Sequence, residues 1–295
     1  MLGLEQLARF AQQHRDAART RVKEFSVGGR SFAFNSQPAI MGVLNLSPDS
    51  WYRESVCLTA ERAIQRGRVL HAQGAAFIDV GAESTLAHAA RLNSAAQTGK
   101  LLPVIKGLRA AKILVSVETY QPAVTRACLE AGANVINFTG RQWSAEMYRM
   151  VAAHAAAVII CFVQGPNVRE VGDFDLNADP MPLMHEYFAR QIDIATRHGV
   201  EKIFLDPGLG FYYRNLQDSA VRVRHQMQVF LNSFRLRTLG FPICNALPHA
   251  FEYFGEAVRC AEPFFAVLAA LGKTDLFRAH EVPRIKAVLD TLKVY

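Results

Sequence analysis

ILVSVETYQPAVTRACLEAGANVINF, residues 113–138, holds one complete unit of a repeating fold. ILVSVE (113–118) is an apolar, β-branched run that ends on a glutamate, and NVINF (134–138) is a second such run. Between them, 121–131 is an amphipathic segment of helical length. Strand, helix and strand in direct succession make a parallel crossover unit, which closes right-handed.

The same alternation extends in both directions. Upstream lie AIMGVL (39–44) and AAFIDV (75–80); downstream lie AVIICFV (157–163), KIFLD (202–206), FPICN (241–245) and DLFRAH (275–280). Helical segments fall near 59–73, 99–110, 144–155, 183–199, 215–238, 261–271 and 283–294. Eight strand–helix units predict an α/β fold of the (β/α)8 TIM-barrel type. An open doubly wound sheet is the alternative, but no G-x-G-x-x-G follows any strand. Ahead of the barrel, Leu2 to Arg19 has helical spacing, and KEFSVGG with RSFAF predicts a β-hairpin turning at Gly28-Gly29. The expected division is a helical extension at 1–22 and a barrel domain at 23–295.

Polar residues cluster where the apolar runs stop. Asn45, Asp79, Glu118, Asn137, Gln164, Asp206, Asn245 and Arg278 each stand at or just past a strand's C-terminal end. In a barrel those ends share one rim, where the active site is built. One such residue is ordinarily a helix cap, but eight at eight strands point to a binding site.

Composition narrows the function. The 295 residues are 51% hydrophobic and 20% charged, enough to bury a large core. The net charge of +7 comes from scattered basic residues, which favours small anionic ligands over nucleic acid. Five cysteines without a C-x-x-C pair suit a reducing cytoplasm. The first twenty residues carry early charge and no apolar leader core, and the longest weakly polar run, Met150 to Val163, is too short to span a membrane.

Several strand ends carry phrases that resemble the dihydropteroate synthase family of pterin-binding barrels. They are IMGVLNLSPDSW (40–51), IDVGAEST (78–85), SVETY (116–120), VINF (135–138), LDPGLGF (205–211) and RAHEV (278–282). The resemblance runs from about residue 22 to the C-terminus. It implies a transferase that joins an amine to a 6-hydroxymethyl-dihydropterin diphosphate with loss of diphosphate. It assigns the pterin to Asp206, Asn137, Glu118, His249 and Gln164. Asn45, Asp49, Arg278 and His280 form the implied catalytic set at the diphosphate end, with Asn45 the ligand of Mg²⁺ and Ser47 beside Asp49 on a mobile first loop. The chemistry agrees, since a pterin edge full of donors needs a carboxylate and an amide, and a guanidinium grips phosphate.

The resemblance is that of a divergent member. Leu86-Ala87-His88 stands where the family has Arg-Pro-Gly, and His249 where it has a lysine against the pterin carbonyl. Glu118 replaces an aspartate, and Phe138 replaces another, expected to present an apolar surface in the ring pocket. Cys161 to Gly165 replaces a Met-His phrase, and Tyr212-Tyr213-Arg214 replaces Gly-Lys-Thr. These changes concentrate on the acceptor side, which implies an acceptor in place of or beside 4-aminobenzoate. A non-catalytic pterin-binding regulator and a pterin or folate methyl-carrier domain are the alternatives. A homodimer is expected through the apolar last helices around Phe264-Phe265.

Overall fold

A computed structural model describes residues 2–50, 52–84, 91–173, 175, 178–210 and 213–294. Two short helices, α1 (Leu4–Gln13) and α2 (Arg15–Arg19), precede a hairpin of β1 (Phe25–Val27) and β2 (Arg30–Phe32). The barrel strands are β3 (Ala39–Asn45), β4 (Phe77–Gly81), β5 (Leu114–Thr119), β6 (Val135–Phe138), β7 (Ala157–Cys161), β8 (Ile203–Asp206), β9 (Cys244–Ala246) and β10 (Leu276–Ala279). Helices α3 (Ala60–Ala72), α4 (Ser94–Ala110), α5 (Pro122–Glu130), α6 (Ser144–Ala153), α7 (Pro180–Arg197), α8 (Ser219–Asn232), α9 (Phe251–Phe254), α10 (Ala261–Leu271) and α11 (Val282–Leu292) complete it.

All eight strands are parallel, each beside its chain neighbour, with β10 returning to pair β3. The ring closes between β8 and β9 through a single bridge, Leu205 to Ile243, with the Leu205 amide donating to Pro242 O at 2.9 Å. The predicted TIM barrel is therefore the observed fold.

Local chemistry explains the element ends. Thr59, Asn93, Asp179 and Asp218 accept backbone amides of the first turns of α3, α4, α7 and α8. The single long helix expected at 215–238 is instead α8 followed by a 3₁₀ segment, Ser233–Leu239. There Ser233 Oγ bonds back to Val229 O at 2.8 Å and Asn232 Nδ2 to Gln228 O at 2.9 Å, diverting the regular ladder. The N-terminal helix likewise breaks at His14, whose φ is −124°.

Register sorts the side chains into two sets. Met41, Phe77 and Leu114 fall on one side in paired register, as do Asp79, Ser116 and Val135, and Glu118 with Asn137. This set fills the barrel, apolar at the bottom and polar at the top. The opposite parity packs under the helices. The hairpin plugs the bottom: Phe32 stacks on Phe77 at 4.8 Å, while Phe25 and Phe34 meet Phe204 edge-on at 5.1 and 5.3 Å. Gly28 and Gly29 turn it with φ of 56° and 85°, and a Cβ on Gly28 would lie 2.5 Å from Leu114 Cδ2.

Two sequence expectations fail on parity. Phe138 does not face the ring pocket; it is fully buried in the outer layer, edge-on to Tyr148 at 5.9 Å, because Asn137 beside it points inward. Asn245 also faces outward, donating to Thr274 Oγ1 at 2.7 Å, so that its neighbour Ala246 reaches the rim instead. Of the Phe264-Phe265 pair, Phe265 is buried and Phe264 is exposed.

Candidate active site

One open cleft of about 1100 Å³ occupies the C-terminal mouth of the barrel. Asn45, Glu118, Asn137, Asp206, His249, Arg278 and His280 all line it. Strand ends deliver most of these residues, so their spacing follows from the barrel itself.

At the floor, charges and amides interlock. Arg278 Nε donates to Asp79 Oδ2 at 2.7 Å and its Nη2 to Glu118 Oε2 at 2.5 Å. Asn137 Nδ2 donates to the same Asp79 oxygen at 3.1 Å, and the Cys161 thiol donates to Asn137 Oδ1 at 3.2 Å. This fixes the Asn137 amide orientation. Asp206 accepts the Gly208 amide at 2.7 Å, in a turn that Gly208 makes with φ 76°.

Burial pushes the Asp206 carboxyl up to about 6, against the pull of the Gly208 amide and Arg278. Burial raises Glu118 as well, with Asp79 and Asp206 adding to it and Arg278 opposing. A carboxyl held up in this way binds donors that compensate its charge.

At one wall, Asn45 Nδ2 donates to Ser50 Oγ at 2.8 Å and Ser55 Oγ at 2.6 Å, while Ser55 Oγ itself donates to Tyr52 O. The amide nitrogen is thereby committed and Oδ1 is left facing the cleft. A Cβ on Gly81 would lie 3.6 Å from that oxygen and 3.8 Å from Glu118 Oε2, so both border the same glycine-made space.

The adjoining wall, beyond β9 and β10, holds the two histidines. Tyr52 stacks on His249 with ring centres 4.7 Å apart and lies 4.7 Å from His280. Its hydroxyl donates to Glu281, which Arg259 also grips through both carboxylate oxygens at 2.7 and 3.0 Å. Burial, together with neighbouring His280, pushes His249 down to about 4. Burial alone would raise Glu262, but the His280 side-chain and backbone hydrogen bonds and the attraction of both imidazoles together outweigh it and hold this carboxyl below its ordinary value.

A family model described as "Pterin binding enzyme" matches residues 41–242. A dihydropteroate synthase of Streptococcus pyogenes is 30% identical over 276 residues, 88% of this chain and 98% of its own. The chain belongs to the dihydropteroate synthase family of pterin-binding enzymes. A dihydropteroate synthase of Synechocystis sp. is 28% identical over 268 residues, covering 87% of this chain and 89% of that protein. Among solved structures, a Xanthomonas albilineans dihydropteroate synthase in complex with 7,8-dihydropteroate superposes with TM-score 0.73 at 25% identity, covering 92% of this chain and 98% of that one.

Set against the residues that the dihydropteroate synthase resemblance implies, the structure gathers most and omits two. Gln164 lies in the loop after β7, outside the cleft lining, its carbonyl accepting the Gly172 amide. Asp49 is exposed on the loop after β3 and does not line the cleft either; its carbonyl accepts Ser84 Oγ at 3.2 Å. His249 sits with His280 and Tyr52 rather than alone against a ring site. Leu86-Ala87-His88 and Tyr212 lie outside the described residues.

Sequence reading placed Asp79 on the rim without a role and missed Cys161, Tyr52 and Glu262 as members of the site. Asp79 and Cys161 share inward parity with Phe77 and Ile159, a signal present in the strand pattern. Glu262 stands as a lone acid at the start of the apolar run AEPFFAVLAAL, which is a signal of a buried partner.

Proposed function

We propose that the chain is a transferase that binds a 6-hydroxymethyl-dihydropterin diphosphate and transfers its pterin-methyl group to an amine acceptor, releasing diphosphate. One observation carries this reading: a buried carboxylate and amide, Asp206 and Asn137, converge with the Arg278 guanidinium at the floor of a rim cleft that His280 also lines. A dihydropterin edge offers an amino group and a ring N–H, which a carboxylate with raised proton affinity accepts, while the amide completes the set.

In this reading the carbon–oxygen bond to diphosphate breaks, the electron pair leaves with the phosphate, and the acceptor nitrogen forms the new bond and loses its proton. The protein supplies position and charge. Arg278, anchored by Asp79 and Glu118, keeps the remaining guanidinium face for phosphate oxygens, and His280 donates beside it. The Asn45 carbonyl fits a hard cation, and Mg²⁺ held there would neutralise the leaving group. The acceptor is 4-aminobenzoate or a different nucleophile, a choice that rests on the sequence departures at Leu86-Ala87-His88 and His249. The reading includes a reducing cytoplasmic setting, which five unpaired cysteines suit, and a homodimer through exposed Phe264, Val267 and Leu271.

Calorimetric titration with 6-hydroxymethyl-7,8-dihydropterin diphosphate tests it, followed by diphosphate release with 4-aminobenzoate and other arylamines. Binding that Asp206→Ala abolishes supports the pocket. Absence of binding to the unaltered chain at high micromolar ligand refutes it. Binding with no release from any amine favours the regulator instead.

A further inference from the structure

We propose that His249, Glu262 and His280 form a site for one divalent transition-metal ion of the Zn²⁺ class, with an open coordination position facing the cleft. One donor atom from each of the three lies within 4.8 Å of the others. Glu262 Oε1 is 2.8 Å from His280 Nδ1 and 4.0 Å from His249 Nδ1.

The donor set is two imidazoles and one carboxylate, which suits zinc-like ions and leaves a fourth position free in open sites. Burial supplies the asymmetry. Glu262 is fully buried beneath the wall, whereas both histidines line the cleft, so an ion there has protein on one side and ligand space on the other. His249 Nδ1 is buried and has no hydrogen-bond partner. A buried nitrogen left unpaired in a polar cluster is a group awaiting a partner.

The second layer is already in place. Backbone amides of His280 and Glu281 donate to the Glu262 oxygens at 2.8 to 3.0 Å and fix the carboxylate plane. Tyr52 lies against both imidazoles and restricts their rings. Among the ion pairs of described residues, Glu262 meets only these two imidazoles, so no fixed cation balances it. A bound ion would supply that charge and take the place of the hydrogen bond between His280 Nδ1 and Glu262. Its open position would take water or an anionic oxygen, as of a phosphate ester or diphosphate. This site is separate from the oxygen site at Asn45, whose donor suits Mg²⁺.

The test uses the full chain stripped of metal, in a Cys260→Ser background that removes the exposed thiol, with no pterin present. Titration with Zn²⁺ alone should give one equivalent, and Co²⁺ should give the visible absorption of a four- or five-coordinate site. His249→Gln and Glu262→Gln should each weaken Zn²⁺ by at least about tenfold to a hundredfold while far-ultraviolet circular dichroism stays unchanged. Asn45→Ala should leave it intact. No stoichiometric binding, or binding that all three variants leave equal, overturns the proposal. Because pterin is absent, that failure says nothing about the pterin pocket, whose titration is run with chelator present.

Discussion

Replacing Asp206 with asparagine should make the empty protein more stable at alkaline pH. Asp206 is 3% exposed, and burial lifts its carboxyl from 3.8 to about 6. A proton affinity raised about a hundredfold corresponds to about 3 kcal/mol between the two charge states. The sign follows from linkage. A carboxyl whose folded value lies above its unfolded value contributes its stability below about pH 4 and loses it as the pH rises through 6. At pH 8 the native fold therefore holds a costly buried charge that asparagine lacks. Asparagine keeps the acceptor for the Gly208 amide and nearly the same volume. Urea unfolding of both proteins at pH 4.5, 6 and 8 should show a gap that grows from near zero to as much as about 3 kcal/mol in favour of the variant. His249 and His225, both pushed down to about 4, lose stability on acidification equally in both proteins and cancel from the difference. A variant that is less stable at pH 8, or whose gain does not change with pH, would refute the reasoning. The expected gain would mark Asp206 as a residue that the fold alone does not require.

Arg237→Ala should cost about 3 to 5 kcal/mol, because it strands Asp275, a partner at 2.5 Å in a pair that is nearly fully buried. The loss should be smaller at pH 5 than at pH 8, since burial holds the Asp275 carboxyl near 6 and lets it take a proton. Gly272→Ala should lower stability by about 3 kcal/mol or more, read as a fall in Tm, because its Cβ would sit 1.7 Å from the Phe230 carbonyl oxygen. Phe138→Asp, which restores the acid of the family phrase, should cost several kcal/mol by burying a charge in the outer layer, whereas Phe138→Leu should cost about 1.5 or less. Tolerance of the aspartate in urea unfolding would return Phe138 to the pocket.

The barrel was legible because its strands are short, mostly apolar runs with polar residues at or near their C-terminal ends, and parallel sheets buried on both faces impose such runs. The floor of the site was legible for the same reason: Asp206 ends its strand, Asn137 and Arg278 stand one residue before the ends of theirs, and all three reach one rim. Errors arose where a strand end was read without its parity. Asn137 and Phe138 are adjacent and point to opposite layers, as do Asn245 and Ala246, so a one-residue slip exchanges cleft and core. Gln164 and Asp49 stand beyond the last paired residue, where no ladder dictates direction. The Glu262–His280 contact joins residues 18 apart on a helix and the next strand's end, so only the packed structure could bring it out. Boundaries moved by a few residues where side chains such as Ser233 compete with the backbone ladder.

The barrel resembles a belt with one weak fastening. Every other strand junction is a continuous ladder, but β8 and β9 meet at a single bridge beside Leu205, the residue next to Asp206. Amide hydrogens along this junction should be the first of the barrel's to exchange with solvent. A ligand held by Asp206 on one side and by the Ala246–Leu247 rim on the other would act as a clasp, drawing the two ends together. Occupancy of the cleft would then be read remotely, as slowed exchange of the Leu205 amide.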